Sequence, residues 1–424
     1  MVAERDRVMQ GLHLRPATRI TAGMFALLAL VVAGLAAARQ RARRDWPTVV
    51  LEPVTVAPAV APDVDAWPAL QRAMDAFPPA SGRAITALRD AHDLTAIDAA
   101  LAATGPALSR FEQALTHGGL VVPRPAALGE AEPSLQNLMH RANAWVLRAR
   151  VRAARGDAAR ALQDLATLER YATGAAHGDN GILTQTLALV IERRLLEELP
   201  NVVTSASGID ATAAAPMEDA LVEARRRGTT LPAVVAGECR FFEAALRLVG
   251  TAPTPQVRQA AAREGLRVLP RVIPTSWGFD ADATFAAHRH HCHARVRAAR
   301  GAPGQRLLPP RRSYLHDGGV GEWLDNRVGR ELLEIVLPAI DHTMTRHMAR
   351  EDDIIALRSA ARVALEIGRF RRARGALPAQ VATPGDLAGR SLRWDSAAGE
   401  LRLHLQTRSS ERRAPVVRFP FASR

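Results

Sequence analysis

The sequence predicts a mainly α-helical protein with an N-terminal transmembrane helix, a body of helical hairpins, and a small C-terminal α+β unit containing a β-hairpin. Three observations carry that expectation. Of the 424 residues, 48% are apolar but only 4% are aromatic, and the apolar share is mostly Ala, Leu and Val, which favours helices over a sandwich or barrel. Residues 20–38, "ITAGMFALLALVVAGLAAA", run nineteen positions without a charge, about the length that crosses a ~30 Å hydrocarbon layer. Near the end, "SLRWD" and "ELRLHLQ" alternate apolar and polar residues across a short turn, a hairpin pattern. Five segments follow: a tail at 1–19, the span at 20–38, an Arg/Pro-rich tether at 39–65, a helical domain at 66–320, and long helices with the hairpin unit at 321–424.

The span has one competitor. Ala36 and Ala38 form an A-x-A pattern of the kind found at signal cleavage sites, but Arg39, Arg41, Arg43 and Arg44 follow at once and favour an uncleaved anchor. Arg5, Arg7, Arg15 and Arg19 precede it, so the positive-inside rule leaves orientation open. Pro47, Pro53, Pro58, Pro62 and Pro68 then impose an extended tether.

A helical body is expected from about 66 to 374, broken near 122–133, 250–256 and 301–321. Its clearest unit is a hairpin at 144–172, turning at Gly156-Asp157 and lined by Ala161, Leu162, Leu165 and Leu168. This unit resembles a tetratricopeptide repeat, but repeat arrays need several units, and an antiparallel helix pair is the plainer reading. A further helix is expected at 351–374. Ile354, Leu357, Ala361 and Leu365 form one apolar stripe on it, and Val363, Ile367 and Phe370 another, which buries it between layers. Glu351, Asp352 and Asp353 then fall in its first turn, where carboxylates complement the helix dipole. Gly375 caps it and Pro378 prevents continuation. Leu392 and Trp394 face one way, as do Leu401, Leu403 and Leu405. "APVVRFPF" adds a third strand, confined to an edge by Pro420.

Every one of the 56 basic residues is arginine, against 43 acidic ones, for a net charge of +13. A lysine-free, Ala- and Arg-rich chain is the signature of a GC-rich genome. The missing lysine excludes a P-loop, Schiff-base and pyridoxal phosphate chemistry, and kinase-type phosphoryl transfer. The runs "RRR" (225–227) and "RRAR" (371–374) lack interleaved aromatics, so they read as solvated faces and nucleic acid is not an expected partner. No G-x-S-x-G, H-E-x-x-H or C-x-x-C occurs, and no catalytic or cofactor-binding residue is assigned.

Four imidazoles and a thiol crowd into "HRHHCH" at 288–293. On a helix capped by Asp282 and stopped at Gly301, Phe285, Cys292, Val296 and Ala299 face inward. His288 lies one turn before Cys292, His291 flanks it, and His290 points away. His288, His291 and Cys292 are therefore the candidate metal ligands, a set suited to zinc if another ligand joins them. The alternative is a buried cysteine beside a half-exposed His cluster. Cys239 and Cys292 form one bridge at most, or stay unpaired and buried. His342 and His347, five apart, are too far around a helix to chelate together.

The order helix, Gly375 and Pro378 of "GALP", the turn carrying Asp386 and Gly389, Trp394 on the first strand and Gly399 in the hairpin turn resembles the C-terminal segment of type II secretion major pseudopilins. It is closer to a set of uncharacterised bacterial membrane proteins with the same ending. Those also carry a Gly-Asp helical hairpin and a helix start like Trp323, Asn326 and Gly329, so the resemblance spans residues 140–406. Leu377 and Leu387 replace an aromatic and a proline of the pattern. The acidic, calcium-binding ending is missing, and Leu28 stands where a processed prepilin has glutamate. The resemblance implies a bacterial inner-membrane protein with its bulk in the periplasm. The expected function is a membrane-anchored scaffold or partner-binding protein of the envelope, with protein partners. A metal-dependent enzyme using the His/Cys cluster is the alternative.

Overall fold

In the computed structural model of the chain, the described residues are 66–75, 79–88, 93–115, 135–176, 182–205, 209–228, 231–251, 280–308, 327–405 and 416–421. The predicted span at 20–38 and the tether at 39–65 lie outside them, but Pro68, read with the tether, stands in the first turn of a helix. The expectation of a membrane helix needs correcting on the described residues: none of their helices is long and apolar enough to cross a membrane. The reason is visible in α6 (Ile182–Ser205), long enough at 24 residues but interrupted by Glu192, Arg193, Arg194, Glu197 and Glu198.

The chain divides into two compact units. Of the described residues, one holds 246–251, 280–290 and 327–338; the other holds those within 66–245, 291–308 and 339–421. In the second unit, α1 (Trp67–Asp75), α2 (Pro79–Ala87) and α3 (Leu94–Leu115) precede the hairpin of α4 (Leu135–Ala154) and α5 (Ala158–Ala176). The hairpin turns where the sequence places it. Gly156 sits at φ +84, a left-handed conformation that glycine adopts without steric cost, and Asp157 accepts from the Arg160 amide at 3.2 Å. Ala161, Leu162, Leu165 and Leu168 are fully buried. Arg148 and Arg152 both reach Asp164, at 2.8 and 2.7 Å, fastening the two helices to each other.

α4 is apolar on two faces. Trp145 and Ala149 join the main core, while Ala144, Leu147 and Val151 meet Ile85, Ile97 and Leu108 of α2 and α3 in a separate cluster. Next come α6, α7 (Ala211–Arg227), α8 (Leu231–Thr251) and α9 (Ala281–Ala299). Asp210 caps α7 by accepting from the Ala213 amide at 2.8 Å. The helix expected at 351–374 is the last part of a 48-residue helix, α10 (Arg327–Arg374). Gly375, at φ +67, ends it as expected, its amide bonded to the Arg371 carbonyl at 2.9 Å.

The C-terminal strands β1 (Ser391–Asp395), β2 (Glu400–His404) and β3 (Val416–Pro420) make an antiparallel sheet in that order. Leu401 pairs with Trp394 on one side and Phe419 on the other. Leu401, Leu403 and Phe419 are fully buried and belong to the same core as α5, α6 and α10. The sheet therefore closes the helical core and is not an appendage to it. Trp394 donates its indole N–H to the Pro378 carbonyl at 2.9 Å.

Candidate functional site

The "HRHHCH" stretch lies on α9, whose cap is Asp280 and not Asp282: the Ala283 amide donates to Asp280 Oδ1 at 3.0 Å. Asp282 is exposed in the first turn. His288, His291 and Cys292 are all buried, while His293 is half-buried and His290 faces away as expected. Cys292 is joined to Cys239 of α8 by a disulfide. One turn earlier on the same helix, a ring nitrogen of His288 comes within 4.8 Å of the Cys292 sulfur. His291 turns elsewhere. Its Nε2 lies 3.1 Å from Asp341 Oδ1, and Arg295 grips both oxygens of that carboxylate at 2.6 Å. Burial works against ionisation of Asp341, but hydrogen bonds from His291 and Arg295 outweigh it and hold the carboxyl at about 2. Of the three candidate ligands, the structure puts His288 beside Cys292 and turns His291 to a hydrogen bond with Asp341. A sulfur in a disulfide supplies no thiolate, the form that binds metal.

His342 is exposed. His347 is buried, its Nδ1 3.1 Å from Thr186 Oγ1. Burial, helped by the charges of Arg350 and Arg306, pulls this imidazole down to about 4, so it is neutral at physiological pH.

Glu351, Asp352 and Asp353 are not first-turn residues. They sit within α10, buried, and long-range arginines claim them. Arg306 pairs with Glu351. Arg390 pairs with Asp353 at 2.8 Å, and Asp352 accepts from the Gly304 amide at 3.0 Å. Arg390 also donates to the Ala388 and Ala349 carbonyls. These bonds fasten the loops at 301–308 and 386–390 to α10, a structural task.

The chemistry that remains lies in a cleft of about 170 Å³ within the second unit, walled by α6, α7 and α10. At its edge three charges occupy what the helical period would make core positions. Glu169 of α5 and Glu192 of α6 are 0% and 1% exposed. Arg358 of α10 reaches both through one atom: its Nε bonds Glu192 and lies 3.4 Å from Glu169. Its two terminal nitrogens have no acceptor among the described residues. Among the described residues Glu169 has no hydrogen-bond partner at either oxygen. Burial, reinforced by repulsion from Glu192, pushes its pKa well up, against the pull of Arg358. For Arg358, burial alone would favour loss of charge; the carboxylates of Glu192 and Glu169 overcome that and raise its pKa.

Two more guanidiniums line the cleft. Arg225 and Arg362 are exposed, and neither has an ion-pair partner among the described residues. Arg226 and Arg227, which follow Arg225, are tied to Glu223. Leu189, Leu221, Ile354 and Ile355 supply an apolar wall. The arrangement suits an anion that carries an apolar group.

Motif reasoning misses this site because no motif marks it. The signal is a lone charge on each of three apolar stripes: Leu162-Leu165-Glu169-Ala172, Leu189-Glu192-Leu196-Leu199 and Ile354-Arg358-Ala361-Leu365. Such charges are rarely buried unless paired, so two acids and one arginine at inward positions point to each other.

No protein-family model matches this chain, and no curated protein or solved structure is detectably similar to it. Only its own side chains speak for its function.

Proposed function

We propose that the chain is an extracytoplasmic, non-enzymatic scaffold whose helical body holds a segment of a partner protein. The observation that carries this reading is the cleft, where Arg358 is fixed at Nε and its terminal nitrogens have no acceptor among the described residues. A preorganised donor beside an apolar wall is the composition of a recognition pocket, apolar with a few placed polar groups. The Cys239–Cys292 disulfide supports the compartment, because such bonds persist in oxidising environments and are rare in a reducing cytosol. The resemblance of the C-terminal unit to pseudopilins directs the search for partners toward secretion machinery.

The metal-dependent alternative on His288, His291 and Cys292 draws less support, since His291 faces Asp341 and the Cys292 sulfur is bonded to Cys239.

A photoactivatable residue placed at Ile355, half-buried in the cleft wall, tests the proposal in cells expressing the full chain. Irradiation is expected to give a discrete polypeptide cross-link at Ile355 and none at Arg160, which is exposed on α5. Absence of any cross-linked polypeptide at Ile355 sinks the scaffold reading.

A further inference from the structure

We infer that this cleft binds the C-terminal carboxylate of a partner polypeptide whose last side chain is apolar, an inference that rests on the partner-binding reading above. Four observations converge on it.

Arg358 is anchored at Nε by Glu192, with Glu169 3.4 Å from the same atom, and Nη1 and Nη2 have no acceptor among the described residues. A guanidinium fork of that kind matches the two oxygens of a carboxylate. It is also held in place before any ligand arrives, so less entropy is lost on binding. The side chain is only 17% exposed, and in such surroundings a charge-assisted bond is stronger than in open water.

Arg225 and Arg362 add positive charge on the rim, and no carboxylate neutralises either among the described residues. The cleft's own carboxylates are mostly engaged. Glu192 is held by Arg358 and Glu351 by Arg306, leaving Asp386 as the one without an arginine among the described residues. An incoming anion therefore meets more unpaired positive charge than negative.

The volume, about 170 Å³, is of the order of a cavity that takes a benzene-sized group. That is one Leu or Phe side chain, and Leu189, Leu221, Ile354 and Ile355 are its natural surroundings. A chain terminus is the ligand that offers a carboxylate and one side chain from the same carbon. Both then fall within a single small cleft, and the rest of the partner leaves through the open mouth.

The test uses the full chain and an array of tetrapeptides ending in each of the twenty residues, made as free acids and as C-terminal amides. Free acids with apolar last residues are expected to bind, with their amides weaker by about tenfold to a hundredfold, the loss typical of a hydrogen-bonded charge. Arg358→Gln is expected to erase the acid preference. Because that change leaves Glu192 without its arginine and risks the fold, Arg225→Gln/Arg362→Gln is measured beside it. These exposed positions leave the circular dichroism spectrum unchanged while weakening the acids and sparing the amides. Equal binding of acids and amides, no binding of either, or a rim variant that binds acids like the parent overturns the inference. So does 4-methylpentanoate binding as tightly as the best peptide, which would make the ligand a free organic acid. A polypeptide cross-linked at Ile355 together with equal acid and amide affinities removes the carboxylate inference and leaves the scaffold standing.

Discussion

Glu169 shows what a single residue contributes to this fold. A fully buried carboxylic acid with neither oxygen hydrogen-bonded among the described residues is costly when ionised, which raises its pKa in the folded chain. The unfolded chain ionises the same group near ~4.3. Between that value and the raised folded one, unfolding releases a proton, and stability falls as pH rises. The slope reaches about 1.4 kcal/mol per pH unit for one proton. Glu169→Gln keeps the shape without the titration. Its urea midpoint is expected to fall less than the parent's from pH 5 to pH 8, and to exceed the parent's at pH 8. Parallel pH profiles would mean instead that Glu169 is ionised and paired with Arg358.

At the scale of elements, two glycines on packed helices separate propensity from packing. Gly174 on α5 has nothing within 4 Å of where a Cβ would stand. Gly368 on α10 would place that atom 2.5 Å from Val203 Cγ1 of α6 and 3.1 Å from Ile209 Cγ1. Gly174→Ala is expected to stabilise by about 0.5–1 kcal/mol through helix propensity. Gly368→Ala is expected to destabilise by about 1–3 kcal/mol through overpacking. Urea denaturation of the two variants checks both signs, and the same sign in both would refute close contact between α10 and α6. Elements with local signals were legible in advance: the Gly156 turn, the Gly375 cap and the Leu392 to Leu405 alternation each report on their own neighbours. Glu351, Asp352 and Asp353 were not, because their partners Arg306 and Arg390 lie 45 and 37 residues away in the chain. The site failed to read for the same reason. Glu169, Glu192 and Arg358 acquire meaning only when α5, α6 and α10 meet, whereas "HRHHCH" drew the eye by composition and is spent on a disulfide and a hydrogen bond to Asp341.

At the largest scale, the second unit has a main core to which distant parts of the chain contribute. Leu165 of α5, Leu195 of α6, Leu357 of α10, Leu401 of β2 and Phe419 of β3 belong to one buried cluster. Arg371 of α10 adds a hydrogen bond to the Phe421 carbonyl at 2.9 Å. A strand at the far end of the sequence is thus part of what keeps the central helices folded, and with them the geometry of the cleft. Phe419→Ala removes a fully buried ring and is expected to cost about 3–5 kcal/mol. If the unit unfolds as one cooperative body, hydrogen exchange registers that loss equally at amides far from the mutation. Protection in α5 is then expected to drop by the same free energy as protection in β2, and binding of the free-acid peptides to weaken only as the folded fraction declines. Loss of protection confined to the sheet would instead make it a separately folding cap, and the cleft would owe its shape to the helices alone.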